Sequence, residues 1–162
     1  MTNRGFGYGT AETDHRSGSV RRLPYTLTIG FAIVGRVEEW DIYQTDEVAA
    51  WLQELQDSDP KTADLVDDAI YTLSRSGPAL GRPLVDTITN SRVANLKELR
   101  PGSRGRSEIR ILFVFDPWRS AILLVAGDKA GSWNKWYARI IPRAEQLYEI
   151  YLKERAEEED SQ

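Results

Sequence analysis

Glu108-Ile109-Arg110-Ile111-Leu112-Phe113-Val114-Phe115-Asp116-Pro117-Trp118-Arg119-Ser120-Ala121-Ile122-Leu123-Leu124-Val125-Ala126 decides the fold. Two extended runs, Glu108 to Phe115 and Ala121 to Ala126, flank Asp116-Pro117-Trp118-Arg119, which carries Asp at the first and Pro at the second position of a turn. The pair reads as an antiparallel hairpin. Val93 to Arg100 predicts a third strand, joined by a cationic loop from Pro101 to Ser107, and completes a meander.

Upstream the period is helical. Val37 to Tyr43 has the short alternation of a strand. Thr45 then caps a helix whose first turn holds Asp46 and Glu47, favourable charges for the positive end of the dipole. Val48, Trp51, Leu52 and Leu55 give that helix one apolar stripe. Asp59-Pro60 opens a second helix with Ala63, Val66, Ile70 and Leu73 inside, and Gly77-Pro78 stops it. A Gly/Pro linker from Gly77 to Pro83 precedes the meander. Beyond the meander, Pro142 is expected to open an amphipathic helix carrying Ala144, Leu147, Tyr148 and Tyr151 on its apolar side. Strand, two helices, three-strand meander and C-terminal helix make an α+β fold with a small, mainly antiparallel sheet.

A chain of 162 residues that is 41% hydrophobic buries one core. We expect a folded domain over residues 37–155, an acidic tail over 156–162, and a disordered or weakly structured extension over 1–36, where apolar periodicity is missing. Tyr25 to Val34 is about half the length needed to cross a bilayer, which argues against a membrane partner. Arg21-Arg22 before it gives a faint signal-peptide look, but Gly35-Arg36-Val37-Glu38 is a poor cleavage site, so a cytoplasmic location is expected. The chain has no cysteine and a single histidine, His15, in the extension. Disulfides, thiolate or imidazole metal sites and a Ser-His-Asp triad are thereby all but excluded, and no cofactor is expected.

Charge is unevenly spread. Residues 92–143 hold 11 Lys or Arg against 4 Asp or Glu, a net of +7, so the remaining residues carry −11 and the whole chain −4. A basic patch inside an acidic protein can still meet a phosphate backbone, because binding follows the local surface. Cations that merely guard solvated strand edges are the alternative.

Several ordered motifs resemble the phage-derived HigB branch of the RelE/ParE superfamily of toxins. They are Gly77-Pro78-Ala79-Leu80-Gly81-Arg82-Pro83-Leu84, Asn95-Leu96-Lys97-Glu98-Leu99-Arg100-Pro101, Ile109-Arg110-Ile111-Leu112-Phe113 with Asp116-Pro117, Leu123-Leu124-Val125-Ala126-Gly127-Asp128-Lys129, Trp133 with Trp136-Tyr137, and Ile141-Pro142. The resemblance covers roughly Trp40 to Leu152. It implies a RelE-like fold and a type II toxin–antitoxin toxin that cuts mRNA in the ribosomal A site. It also implies a cognate helix-turn-helix, HigA-like antitoxin. The implied chemistry is metal-free: a ribose 2′-hydroxyl attacks the adjacent phosphate.

Such chemistry needs a proton acceptor, a stabiliser of phosphorane-like charge and a proton donor to the leaving oxygen. By the resemblance, Arg110 occupies the position of a strand arginine whose planar fork suits phosphate oxygens; a salt bridge to Glu108 or Asp128 is the other reading. Lys129 holds the phosphate or protonates the leaving oxygen. Tyr137 serves as base, as stacking platform or as core. Arg100 and Lys97 alternate faces, with Arg100 the better groove residue, and Glu98 is either base, arginine orienter or buried ion-pair partner. Lys97, Arg104, Arg106, Trp133, Lys135 and Trp136 are the candidate RNA contacts, the tryptophans by stacking or, for Trp136, packing. The missing groove histidine leaves the general base open. Two other readings stand: a fold relative that inhibits a protein target such as a topoisomerase, and an inactive relative that keeps RNA or antitoxin binding. Cations converging in a groove favour the nuclease, and dispersed cations the inhibitor.

Overall fold

The computed structural model describes residues 20–22, 39–102 and 105–162. Six strands form one sheet: β1 (Val20–Arg22), β2 (Asp41–Thr45), β3 (Val85–Thr87), β4 (Lys97–Leu99), β5 (Ile109–Phe115) and β6 (Ser120–Asp128). Their spatial order is β1-β2-β6-β5-β4-β3, antiparallel at every pairing except the parallel β2–β6 pair. Three helices cover the sheet: α1 (Asp46–Ser58), α2 (Pro60–Ser76) and α3 (Trp133–Asp160). The α+β architecture expected from the sequence is thus present. Among the described residues no helix is long and apolar enough to cross a membrane. The only described part of the 1–36 extension is β1, an edge strand on β2; the Tyr25 to Val34 stretch lies outside the described residues.

The near-continuous apolar runs of β5 and β6 follow from helices on both faces of the sheet. Ile109, Ile111 and Phe113 face Val48 of α1 and Val66, Ile70 and Leu73 of α2, while Leu112 and Val114 face Trp136, Ala144, Leu147 and Tyr151 of α3. A bulge sets the phase of the second face. Leu112 pairs with Val125 and Phe113 with Leu123, so Leu124 has no counterpart on β5. Its carbonyl is taken up by Thr45, whose buried hydroxyl donates to Leu124 O at 2.8 Å and accepts from the Val48 amide at 3.2 Å. One side chain therefore both caps α1 and anchors the bulge. Past the bulge, Gly127 pairs with Arg110 and looks toward α3.

The other caps are those the sequence signals. Asp59 accepts from the Thr62 amide at the start of α2, with Pro60 in the first turn. Gly77 ends α2 at φ +55°, and a Cβ there would lie 2.2 Å from the Trp40 indole, so both backbone and packing call for glycine.

Two expectations are corrected, and one strand is present that the sequence did not signal. α3 begins at Trp133, and Pro142 lies inside it. Trp136, Tyr137, Ile140, Ile141, Ala144, Leu147, Tyr148, Tyr151 and Leu152 form one unbroken stripe against the sheet, and this burial outweighs the single backbone bond that the exposed Pro142 removes. The strand expected from Val93 to Arg100 is only Lys97–Leu99, because Asn95 adopts φ +62° and turns the chain. Strand β3, which pairs with β4, carries too little pattern in three residues to be read from sequence.

Candidate active site

The α3 face of the sheet, near the N-terminus of that helix, gathers the ionisable groups. Glu98 sits on β4 opposite Leu112, and its side chain is therefore directed to the same face. It is buried, 2% exposed, and fully engaged. Oε1 accepts from Arg100 Nε at 2.8 Å and lies 2.6 Å from its NH2, while Oε2 accepts from the Tyr137 hydroxyl at 2.6 Å. Across the β3–β4 ladder Asp86 stands directly opposite Glu98. Arg100 bridges the two carboxylates, reaching Asp86 Oδ2 at 3.1 Å, and Arg82 closes the chain at 2.9 Å. The hydrogen bond from Arg82, with the Thr87 amide and Arg100, holds the Asp86 carboxyl below its ordinary range. Burial, reinforced by Glu98, pushes the Tyr137 phenol up to about 12. At neutral pH Tyr137 is therefore a neutral phenol that donates to Glu98 Oε2.

Arg110 enters from β5. Its neighbour on β6 is Gly127, where a Cβ would lie 2.9 Å from Trp136 Nε1, so the indole lies directly on the strand. The half-buried guanidinium donates to Ile109 O at 2.7 Å, and its buried Nε has no hydrogen-bond partner among the described residues. Among the described residues it makes no ion pair with Glu108 or Asp128. Instead, Asp128 accepts from the amides of Glu108 and Ala130, and Glu108 stands 3.7 Å from Lys129. Lys129 is buried between two rings, with Nζ 3.2 Å from the centroid of Trp133 and 5.3 Å from that of Tyr137. Burial first, and then the positive charge of Arg110, lowers its pKa; Glu98 and Glu108 oppose the shift.

The structure thus brings Glu98, Arg100, Arg110, Lys129 and Tyr137 together. Trp133 borders them, 52% exposed, and Lys135 projects from the next part of the same helical turn. Arg106 is exposed in the loop before β5, and Arg104 lies outside the described residues. Lys97 points to the other face, donating to the Thr87 hydroxyl at 3.2 Å. Trp136 is 3% exposed and belongs to the core beneath the cluster, not to its surface. Arg92 binds Glu145, and Arg119 lies over Trp40, so not every cation of the basic segment converges. Asp86 was not a candidate from sequence, since only the pairing of β3 with β4 places it opposite Glu98. A cleft of about 260 Å3 opens on the opposite face beside Trp51, Leu55 and Ile109, but its Asp59 and Asp128 are occupied as caps of local backbone, so the chemistry belongs with the cluster. Among the described residues no group of three or more His, Cys, Asp or Glu is placed to hold a metal ion.

Comparison with known proteins agrees on the segment. A family model described as phage-derived protein Gp49-like matches residues 53–149. Two proteins of Mycobacterium tuberculosis (strain ATCC 25618 / H37Rv) are similar to the chain. One, named "Putative toxin HigB2", is 53% identical over 107 residues, which is 66% of this chain and 52% of that protein. The other, named "Putative toxin HigB3", is 53% identical over 87 residues, 54% of this chain and 74% of that protein. The aligned part of the chain spans about half the length of the first. No solved structure matches significantly.

Proposed function

The chain belongs to the phage-derived Gp49-like family, and from that premise we propose that it is a HigB-like toxin of a type II toxin–antitoxin system, a metal-independent endoribonuclease that cuts mRNA on the ribosome. Its partners in this reading are a helix-turn-helix, HigA-like antitoxin, the ribosome and the message, met in the cytoplasm. The convergence of Arg100, Arg110 and Lys129 with the Glu98–Tyr137 pair carries the reading: three cations face a carboxylate–phenol pair on one side of the sheet.

The Tyr137 hydroxyl takes the proton of the ribose 2′-hydroxyl as its own proton passes to Glu98 Oε2. The 2′-oxygen bonds to phosphorus, the P–O5′ bond breaks, and Lys129 gives a proton to the departing 5′-oxygen. The products are a 2′,3′-cyclic phosphate and a free 5′-hydroxyl. Arg110, whose guanidinium makes no ion pair with Glu108 or Asp128 among the described residues, binds the charge that grows on the phosphoryl oxygens. Arg100 is engaged with Glu98 and Asp86, so its first task is to orient the acceptor.

A patch of this size holds only a few nucleotides, so the ribosome must supply the positioning that makes attack fast. Primer extension on a translated message and on an untranslatable copy tests this. We expect cuts only in the translated copy. Equal cutting of both overturns ribosome dependence, and no cutting of either returns the chain to the non-nuclease inhibitor reading.

A further inference from the structure

Lys129 directly follows β6 and Trp133 begins α3, and the turn between them is tight. The Ser132 amide donates to Lys129 O at 3.1 Å, with Gly131 at φ +77°. This turn folds Trp133 back over the residue four positions before it. The result is asymmetric. The Lys129 side chain is 2% exposed, whereas the indole that covers it is 52% exposed, so one ring face meets the ammonium and much of the remainder meets water.

The ammonium is poorly satisfied beneath that ring. Among the described residues its one ion pair is with Glu108 Oε2 at 3.7 Å, too far for a hydrogen bond, and that oxygen is itself without a hydrogen-bond partner. The charged and titratable groups around it are Glu98 of β4 and Arg100 just past it, Glu108 and Arg110 from β5 and its preceding loop, and the Tyr137 phenol of α3. The two arginines repel the charge and the two carboxylates attract it. The ring's quadrupole attracts the ammonium, but burial is the largest influence on it: the water the ring excludes is replaced only by a carboxylate 3.7 Å away, so the proton is held less tightly than on a solvated lysine.

We infer that Trp133 is a positioning residue for Lys129: its inner face keeps the ammonium out of water and so sets how readily Lys129 yields its proton to the 5′-oxygen, a role that rests on the nuclease reading above. Base stacking on the outer face remains open to the same ring.

The test follows Lys129 itself. In full-length protein with isotopically labelled lysines, the side-chain NMR signals are titrated with pH, and Lys129→Arg identifies the signal that disappears. In the wild type the Lys129 midpoint lies below the ordinary lysine value of about 10.4. Trp133→Ala, a change at a half-exposed site, should move it upward, and Trp133→Phe should keep it near the wild-type position. The pH–rate profile on programmed ribosomes should move in the same sense. A general acid is lost as pH rises through its pKa, so the alkaline limb shifts upward in Trp133→Ala. An unmoved or lowered Lys129 midpoint in Trp133→Ala overturns the inference. A midpoint raised in Trp133→Ala, together with a wild-type protein that cuts no RNA, supports the shielding and removes only the nuclease reading.

Discussion

Arg110→Ala is expected to slow single-turnover cleavage on programmed ribosomes by about 10² to 10³, roughly 2.7 to 4 kcal/mol of transition-state stabilisation, while ribosome binding stays near the wild-type level. The reason lies in how Arg110 is held. Among the described residues its guanidinium donates one hydrogen bond, to the carbonyl of its own neighbour Ile109, and neither Glu108 nor Asp128 neutralises it. A guanidinium so placed has donors to spare for oxygens that become more negative during attack. Binding is shared with Arg106, Lys135 and other exposed cations, so losing one cation changes it little. Lysine at 110 should rescue only in part, because a point charge cannot bridge two phosphoryl oxygens. A wild-type rate in Arg110→Ala, or a defect confined to binding or melting, would remove Arg110 from the chemistry.

The second large effect concerns stability. Asp116 is buried where β5 turns into β6, and one carboxylate serves three donors. Oδ1 accepts from the amides of Trp118 and Ser120 at 2.9 and 2.8 Å, and Oδ2 accepts from the buried Tyr151 hydroxyl of α3 at 2.5 Å. These bonds offset the φ of +63° that the turn imposes on Arg119, and they tie the hairpin to the helix on the α3 face. Burial and Asp116 together push the Tyr151 phenol well above its ordinary value. Asp116→Ala leaves all three donors unsatisfied and should cost about 3 to 5 kcal/mol in urea unfolding, against about 1 to 2 kcal/mol for Tyr151→Phe, which removes the hydroxyl alone. Because Asp116 lies away from the cluster, cleavage per folded molecule should hold. A loss below about 1 kcal/mol in Asp116→Ala would mean that the turn is held by other contacts.

The same residue shows what was legible in the chain. Asp116-Pro117 announces its turn in four consecutive positions, as Thr45 and Asp59-Pro60 announce their helices, because caps and turns are settled by neighbours in sequence. The start of α3 was not legible. Pro142 is a strong local start signal, but nine apolar residues from Trp136 to Leu152 bury on one sheet face and extend the helix through it.

The site divides along the same line. Arg110, Lys129 and Tyr137 were singled out by their resemblance to the toxin family's motifs, and they do meet. Asp86 could not, since its place opposite Glu98 depends on a three-residue strand pairing across the chain. Trp136 reads equally well as a stacking ring or as core until the bulge at Leu124 turns Gly127 toward it.

In the proposed reaction the ribose supplies the nucleophile while Glu98, Tyr137, Arg110 and Lys129 move the proton and the charge. The most direct measurement uses purified protein and ribosomes programmed with two messages that differ only by a 2′-deoxynucleotide immediately 5′ of the cut in the A-site codon. We expect the ribonucleotide message to give fragments ending in a 2′,3′-cyclic phosphate and a 5′-hydroxyl, and the deoxy message to stay intact at that bond. Cutting of the deoxy message at the same bond, or a 5′-phosphate on the downstream fragment, would contradict the account.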